Sequence, residues 1–301
     1  MTALGIEANL VRALSGEPPR TALPEDAVDT QTHMYLPGFP SLPPGPDLPA
    51  GRLPTPDQYR RVMNWLGIGR VVVTQGNSHQ SDNGNLLACL GEMGGIARGV
   101  GVISAQTSQA ELDTLAQAGV VGARIMDLPG GAVGLDALEA VDALAGERDW
   151  MLAIQFDGGD ILAHEQRLAR LKSRWVLDHH GKFFSGNNPE SRQVGALKRL
   201  IDKGRCWFKF AGCYETSRSG APSYEDVAAT ARAIAGHAPE RIVWGTNWPH
   251  NLARVQAQYP NDAALTDTVM RWFPDINARN LALVDNPETL YGFPSKRRAP
   301  D

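Results

Sequence analysis

Residues 29–38 read Asp-Thr-Gln-Thr-His-Met-Tyr-Leu-Pro-Gly (DTQTHMYLPG) and overlap the first extended run of the chain, Ala27–Thr32. A doubly wound sheet that bound a dinucleotide would carry a glycine-rich GxGxxG turn here, so that the backbone could approach a pyrophosphate. No such turn is present. The strand ends instead on polar residues, Asp29, Gln31 and His33.

Seven further apolar runs follow: Arg70–Thr74, Gly99–Ser104, Val121–Met126, Met151–Phe156, Arg174–Asp178, Cys206–Phe210 and Arg241–Gly245. They lack strict apolar–polar alternation, as expected of parallel strands covered on both faces. Helical patterns lie between them at Pro56–Leu66, Asn83–Met93, Ser108–Ala118, Leu135–Gly146, Ile161–Leu171, Ser191–Lys203 and Tyr224–Gly236. Ala263–Trp272 and Ile276–Leu283 add two C-terminal helices. Eight βα units in about 250 residues predict an α/β fold, a (β/α)8 TIM barrel. The expected division is an N-terminal extension (1–26), the barrel (27–292) and a C-terminal tail (293–301). The Pro-rich stretch Leu36–Pro56 reads as a long loop after strand 1, a lid or pocket wall on the catalytic rim.

Composition narrows the function classes. The 301 residues are 43% apolar and 21% charged, an ordinary globular mixture that argues against disorder. Twenty-nine basic against 33 acidic side chains give a net charge of −4, which argues against nucleic-acid or membrane-surface partners. The one dense cationic run, Lys296-Arg297-Arg298, lies in the tail. Cys89, Cys206 and Cys213 form no CxxC pair, so a reducing, cytoplasmic setting is expected. No apolar stretch approaches the ~18–20 residues of a membrane helix, and the N-terminus does not read as a signal peptide. A homo-oligomer is left open.

Strand C-termini of such a barrel converge on one site. They offer Gln31 and His33; Gln75 and Asn77; Arg124; Gln155 and Asp157; Asp178, His179, His180 and Lys182; Lys209, Tyr214, Glu215 and Arg218; and Asn247 and His250. His79, His164 and His237 read as surface residues, and His180 should point away from His179. Lys209 could simply pair with Asp178. A catalytic divalent metal wants three or more His or carboxylate ligands. Amides stand at 31 and 247, where an HxH pair and a strand-8 carboxylate would supply two of them. Metal-independent chemistry with no cofactor is therefore expected.

The segments DTQTH, LDHHGK, WFKFAG and WGTNWPH, in that order between Asp29 and Leu290, resemble the amidohydrolase superfamily. The likeness is to its branch of 2-pyrone-4,6-dicarboxylate lactonases, with Gln31 and Asn247 as departures. Further stretches, TQGNSHQSDNGN and GARIMDLPGGAV among them, resemble the sugar-acid lactone isomerases of that branch. The resemblance implies metal-free interconversion of the 1,5- and 1,4-lactones of D-galactarate in uronate catabolism. A tethered C4 hydroxyl then replaces external water, so the water-activating base at strand 8 is dispensable. In this scheme His33 or His179, with an imidazole pKa near ~6.5, shuttles the proton. The other His, or Lys209, stabilises the oxyanion, and Asn247 orients a hydroxyl. Arg124, with Lys182 or Arg218, grips the free carboxylate. Gln31, Gln75, Asn77 and Gln155 read hydroxyls; Asp157, Glu215, Tyr214 and His250 complete the pocket. The alternatives are a sugar-acid lactone hydrolase, a metal-dependent decarboxylase and a non-catalytic sugar-acid-binding protein.

Overall fold

The computed structural model describes residues 10–295, so Lys296-Arg297-Arg298 falls outside the described residues. Eight parallel strands form one sheet in sequential order: β1 Val28–Thr32, β2 Arg70–Thr74, β3 Ala97–Gly101, β4 Val120–Met126, β5 Met151–Gln155, β6 Trp175–Leu177, β7 Cys206–Phe210 and β8 Ile242–Trp244. Helices alternate with them: α1 Pro56–Leu66, α2 Gly84–Met93, α3 Gln109–Gln117, α4 Leu138–Gly146, α5 Ile161–Leu168, α6 Arg192–Asp202 and α7 Glu225–His237. α8 Asp262–Met270, α9 Ile276–Asn280 and α10 Asn286–Tyr291 follow, with a π-helical turn, Leu281–Asp285, joining the last two. This is the expected TIM barrel.

Local chemistry explains the boundaries. Thr55 caps α1 by accepting from the Gln58 N–H, Pro56 pre-sets the first turn, and Gly67 at φ 79° ends it. Ser108, Ser191 and Asn261 cap α3, α6 and α8 in the same way. β3 lies two residues earlier than expected at its start and ends at Gly101. It ends there because the Asn83 side-chain amide accepts from Val102 N (2.9 Å) and donates to Val102 O (2.8 Å), peeling the chain away from the sheet.

Alternate strand residues face two cores. Val28, Val72, Val100, Met151, Val176 and Val243 fill the barrel, which Leu290, Tyr291 and Phe293 plug from below. Val71, Val73, Leu152, Ile154, Leu177 and Phe208 face the helices. Between β1 and β8 the ladder is reduced to a bridge, Thr32 to Trp248, and a side chain completes the seam. The Asp29 carboxylate accepts from Thr246 N (3.0 Å), the Thr246 hydroxyl and Tyr59 OH (2.6 Å). Main-chain bonds from His33 N to Trp248 O and from Asn247 N to Gln31 O, both 2.9 Å, run beside it. Only glycine fits at 245: a Cβ there would lie 2.5 Å from that of Gln31. The seam thus sets the strand-1 and strand-8 site residues side by side.

The loop after β1 is tied down as a wall. Leu42 N donates to Ser78 O (2.7 Å), Ser78 Oγ to Asp47 O (2.9 Å), and His79 Nδ1 bonds Pro40 O (3.0 Å). From the N-terminal segment, the Arg12 guanidinium donates to Ala50 O and Arg52 O, both at 2.8 Å, and to Pro249 O at 3.4 Å. His79 is only 2% exposed, which corrects the surface reading: the rings of Tyr35 and Phe39 cover it. His164 is half-buried against Phe156, and His237 is exposed beside Asp202.

Candidate active site

At the carboxyl ends of the strands, Gln31, His33, Arg124, Gln155, His179, Lys209 and Asn247 are all buried. Their hydrogen bonds assign proton positions. Lys209 Nζ pairs with Asp178 Oδ1 at 2.7 Å and donates to Gln31 Oε1 at 2.8 Å. That turns the Gln31 amide N–H to His33 Nε2, 3.3 Å away. His33 Nδ1 lies 2.9 Å from Thr74 O, a group that only accepts, so Nδ1 carries the proton and Nε2 the lone pair. His179 is the reverse case. Its Nε2 lies 3.1 Å from Asn247 Oδ1, and its buried Nδ1 has no hydrogen-bond partner, with Asp178 Oδ2 4.0 Å away.

Asn247 is fully engaged. Its Oδ1 faces His179, and its Nδ2 donates to Tyr214 OH (2.8 Å) and Glu215 Oε1 (2.9 Å). Glu215 Oε2 in turn pairs with Lys182. Five non-glycine residues here, His179, His180, Lys182, Asn247 and His250, have φ between 49° and 63°. Side chains rarely adopt that backbone, and such strain gathers where function demands it. Gly212, at φ 62°, makes room: a Cβ there would sit 2.8 Å from Asn247 Nδ2 and 3.1 Å from His179 Cδ2.

Arg124 is 4% exposed and held by neutral groups alone. Nη1 donates to Gln75 O (2.8 Å) and Asn77 Oδ1 (2.7 Å), and Nη2 to Gln155 Oε1 (3.3 Å), while Nε has no partner. Among the described residues it forms no ion pair, and a buried cation without a counter-ion is costly. The amides expected to read hydroxyls therefore mostly position Arg124 and its loop: Gln75 Nε2 donates to Asp82 O at 2.6 Å and to Gln80 O at 3.3 Å. Asp157, half-buried, caps the turn after β5 by accepting from Gly159 N. Arg218 is exposed and donates to Ser185 O, apart from the cluster. Tyr214 OH lies 2.6 Å from His250 Nδ1. His180 turns away as expected, stacked on Phe210 at 5.0 Å. Between the Pro-rich wall and the loop after β8, a cavity of about 320 Å³ is lined by Pro46, Pro49, Asn77, Ser78, Asn251 and Leu252. Tyr35, bonded to Asn251 Nδ2 at 2.9 Å, and Asp262, 2.8 Å from His250, belong to the site and escaped the sequence reading.

An ordinary imidazole pKa does not hold here. Burial, with Arg124 and then Lys209, pushes His33 down to about 3. Burial and the charges of Lys182, Lys209 and Arg124 hold His179 well below the usual range, and burial with Lys182 lowers His180 to about 3. Burial pushes Asp29 up to about 6. An unfolded chain takes up protons at these three imidazoles near pH 6.5, whereas the fold refuses them. The histidine contribution is thus complete above pH 6.5 and lost as pH falls below it. Asp29 works oppositely, since its folded carboxyl protonates near 6 and its unfolded one near ~3.9. Three histidines against one aspartate leave a net unfolded-state uptake of about two protons between pH 6 and 4. Stability should fall by up to roughly 2–3 kcal/mol per pH unit there. Thermal unfolding followed from pH 7 to 4.5 checks this; a midpoint unchanged across that range would contradict it.

The residues present do not fit a divalent metal. Among the described residues no three His, Cys, Asp or Glu side chains converge. The Lys209 ammonium, with no exposed surface, stands between Asp178 and Gln31, and the amide of Asn247 is spent.

Comparison with known proteins places this geometry. The family profile described as amidohydrolase matches residues 27–293. A D-galactarolactone isomerase of Agrobacterium fabrum is 59% identical, over 94% of this chain and 97% of the relative. A 4-sulfomuconolactone hydrolase of Rhizobium radiobacter is 30% identical, over 90% of this chain and 91% of that one. An apo crystal structure from Agrobacterium tumefaciens superposes with a TM-score of 0.92 at 58% identity, covering 94% of this chain and 99% of the other.

Proposed function

The chain belongs to the amidohydrolase family, and from that premise we propose that it is a lactone isomerase interconverting D-galactaro-1,5-lactone and D-galactaro-1,4-lactone. The observation that carries the choice of isomerisation over hydrolysis is the saturation of Asn247. Its carbonyl and both amide hydrogens are engaged, and the neighbouring Glu215 accepts from Asn247 and Lys182. Neither is a free base for activating water.

Isomerisation needs no such base. The C4 hydroxyl oxygen attacks C1, the C1–O5 bond breaks, and one proton moves from O4 to O5. The nucleophile is tethered, so effective molarity replaces strong activation. His179 Nδ1, the unpartnered lone pair, receives the proton and returns it. Its low basicity fits a brief stay. The substrate carboxylate, bound at Arg124, offsets one of the charges that depress His179. Negative charge on the carbonyl oxygen develops in the field of Lys209, while Arg124 holds the carboxylate. Gln31, polarised by Lys209, keeps His33 neutral and oriented. The Gln155 amide nitrogen and the second Asp157 oxygen remain for the hydroxyls, while Asn77 is spent on Arg124 and Met126.

No helix among the described residues is long and apolar enough to cross a membrane. The three cysteines are free thiols buried in the fold, which supports a cytoplasmic setting. The reading is tested by proton NMR of the purified protein with D-galactaro-1,5-lactone in buffer containing a chelator. The 1,4-lactone should grow in at an undiminished rate. Open galactarate as the enzymatic product would favour a hydrolase, and no turnover a binding protein. Activity lost to the chelator and regained with zinc or manganese would reject the metal-free mechanism.

A further inference from the structure

A file of hydrogen bonds runs from the site to a helix outside the barrel. Asp262, the first residue of α8, is buried, and its Oδ1 lies 2.8 Å from His250 Nε2. A carboxylate only accepts, so Nε2 carries the His250 proton and Nδ1 is left as an acceptor. Tyr214 OH, 2.6 Å away, must donate to it. With its proton so committed, the phenol oxygen accepts from Asn247 Nδ2 at 2.8 Å. That fixes which end of the Asn247 amide faces His179: the carbonyl, 3.1 Å from Nε2. His179 therefore carries its proton on Nε2 and keeps Nδ1 bare.

We propose that Asp262, His250 and Tyr214 are positioning residues that hold Asn247 and thereby fix His179 as its Nε2–H tautomer. The inference rests on the reading of His179 Nδ1 as the proton acceptor. Each link is directional, so the instruction passes without a proton having to move. Glu215 gives Asn247 the same orientation from the rim side, where it is itself tied to Lys182. The ring of Tyr259 stands edge-on to His250 at 4.8 Å and seats the imidazole. Tyr214 and His250 therefore face each other and the protein, with their polar atoms spent before any lactone arrives.

Asp262→Asn replaces the obligate acceptor with an amide that can present either end. Long-range proton–nitrogen NMR of histidine-labelled protein should show His179 and His250 as pure Nε2–H forms in the unaltered chain. In the variant both should become tautomer mixtures. kcat should fall roughly 10- to 100-fold, with KM within about threefold. Tyr214→Phe cuts the file in its middle and should give a similar loss. The double variant should lose no more than either single one, since both remove the same connection. Unchanged tautomers and kcat in folded variants would overturn the proposal, as would losses that multiply. The NMR readout needs no substrate. A tautomer shift in a protein that does not isomerise the lactone would sustain the relay and sink only the functional reading.

Discussion

His179→Ala is expected to lower kcat for lactone interconversion roughly 10²- to 10⁴-fold, the usual range for removing a general acid–base group. KM should change little, because the imidazole contributes a proton site and not the main hold on the substrate. The expectation comes from one contrast. His33 has both ring nitrogens hydrogen-bonded, to Thr74 O and the Gln31 amide, whereas His179 has Nε2 anchored and a buried Nδ1 without a hydrogen-bond partner. Residual turnover should persist, because the tethered hydroxyl retains its effective molarity. Added imidazole should restore part of the loss if the defect is a missing proton carrier. Near-normal kcat in the variant, measured by NMR exchange of the two lactones, would remove His179 from the mechanism.

Arg124→Met should raise KM and lower kcat/KM roughly 10²- to 10³-fold. Losing a buried charge-assisted contact typically costs about 2–5 kcal/mol. kcat should be affected less, because the carboxylate contact is made in ground and transition states alike. Arg124→Lys should fall in between: it keeps the charge but cannot reproduce the contacts to Gln75 O, Asn77 and Gln155. A neutral aldonolactone offers a control, since without the free carboxylate the unaltered enzyme and Arg124→Met should differ little. An unchanged KM for the anionic lactone in the variant would show that Arg124 serves the fold and not the substrate.

Much of this site was legible because a parallel barrel sends every strand end to one face. DTQTH, ARIMD, LDHHGK, WFKFAG and WGTNWPH can be read as ligand-facing from the sequence alone. What escaped depends on contacts between distant residues. Lys182 and Glu215, expected as separate contacts, neutralise each other across 33 positions. Asp262 belongs to a helix that no strand pattern marks as functional, and it enters the site only because α8 begins against the β8 loop. Arg218 lies in a stretch pinned outward, where Asp226 accepts from Ser217, Ser219 and the Arg218 N–H. The depressed imidazoles are equally invisible in one dimension, because they arise from burial among three cations.

Substituting amides at 31 and 247 leaves a site rich in directional hydrogen bonds and poor in free bases. That composition suits a reaction whose nucleophile comes with the substrate. The central claim is that the C4 oxygen, and not water, attacks C1. Conversion of D-galactaro-1,5-lactone in ¹⁸O-enriched water tests it most directly. Direct transfer yields a 1,4-lactone without label by mass spectrometry. One ¹⁸O in the enzymatic product would mean that the ring is opened by water and reclosed, and would contradict the mechanism.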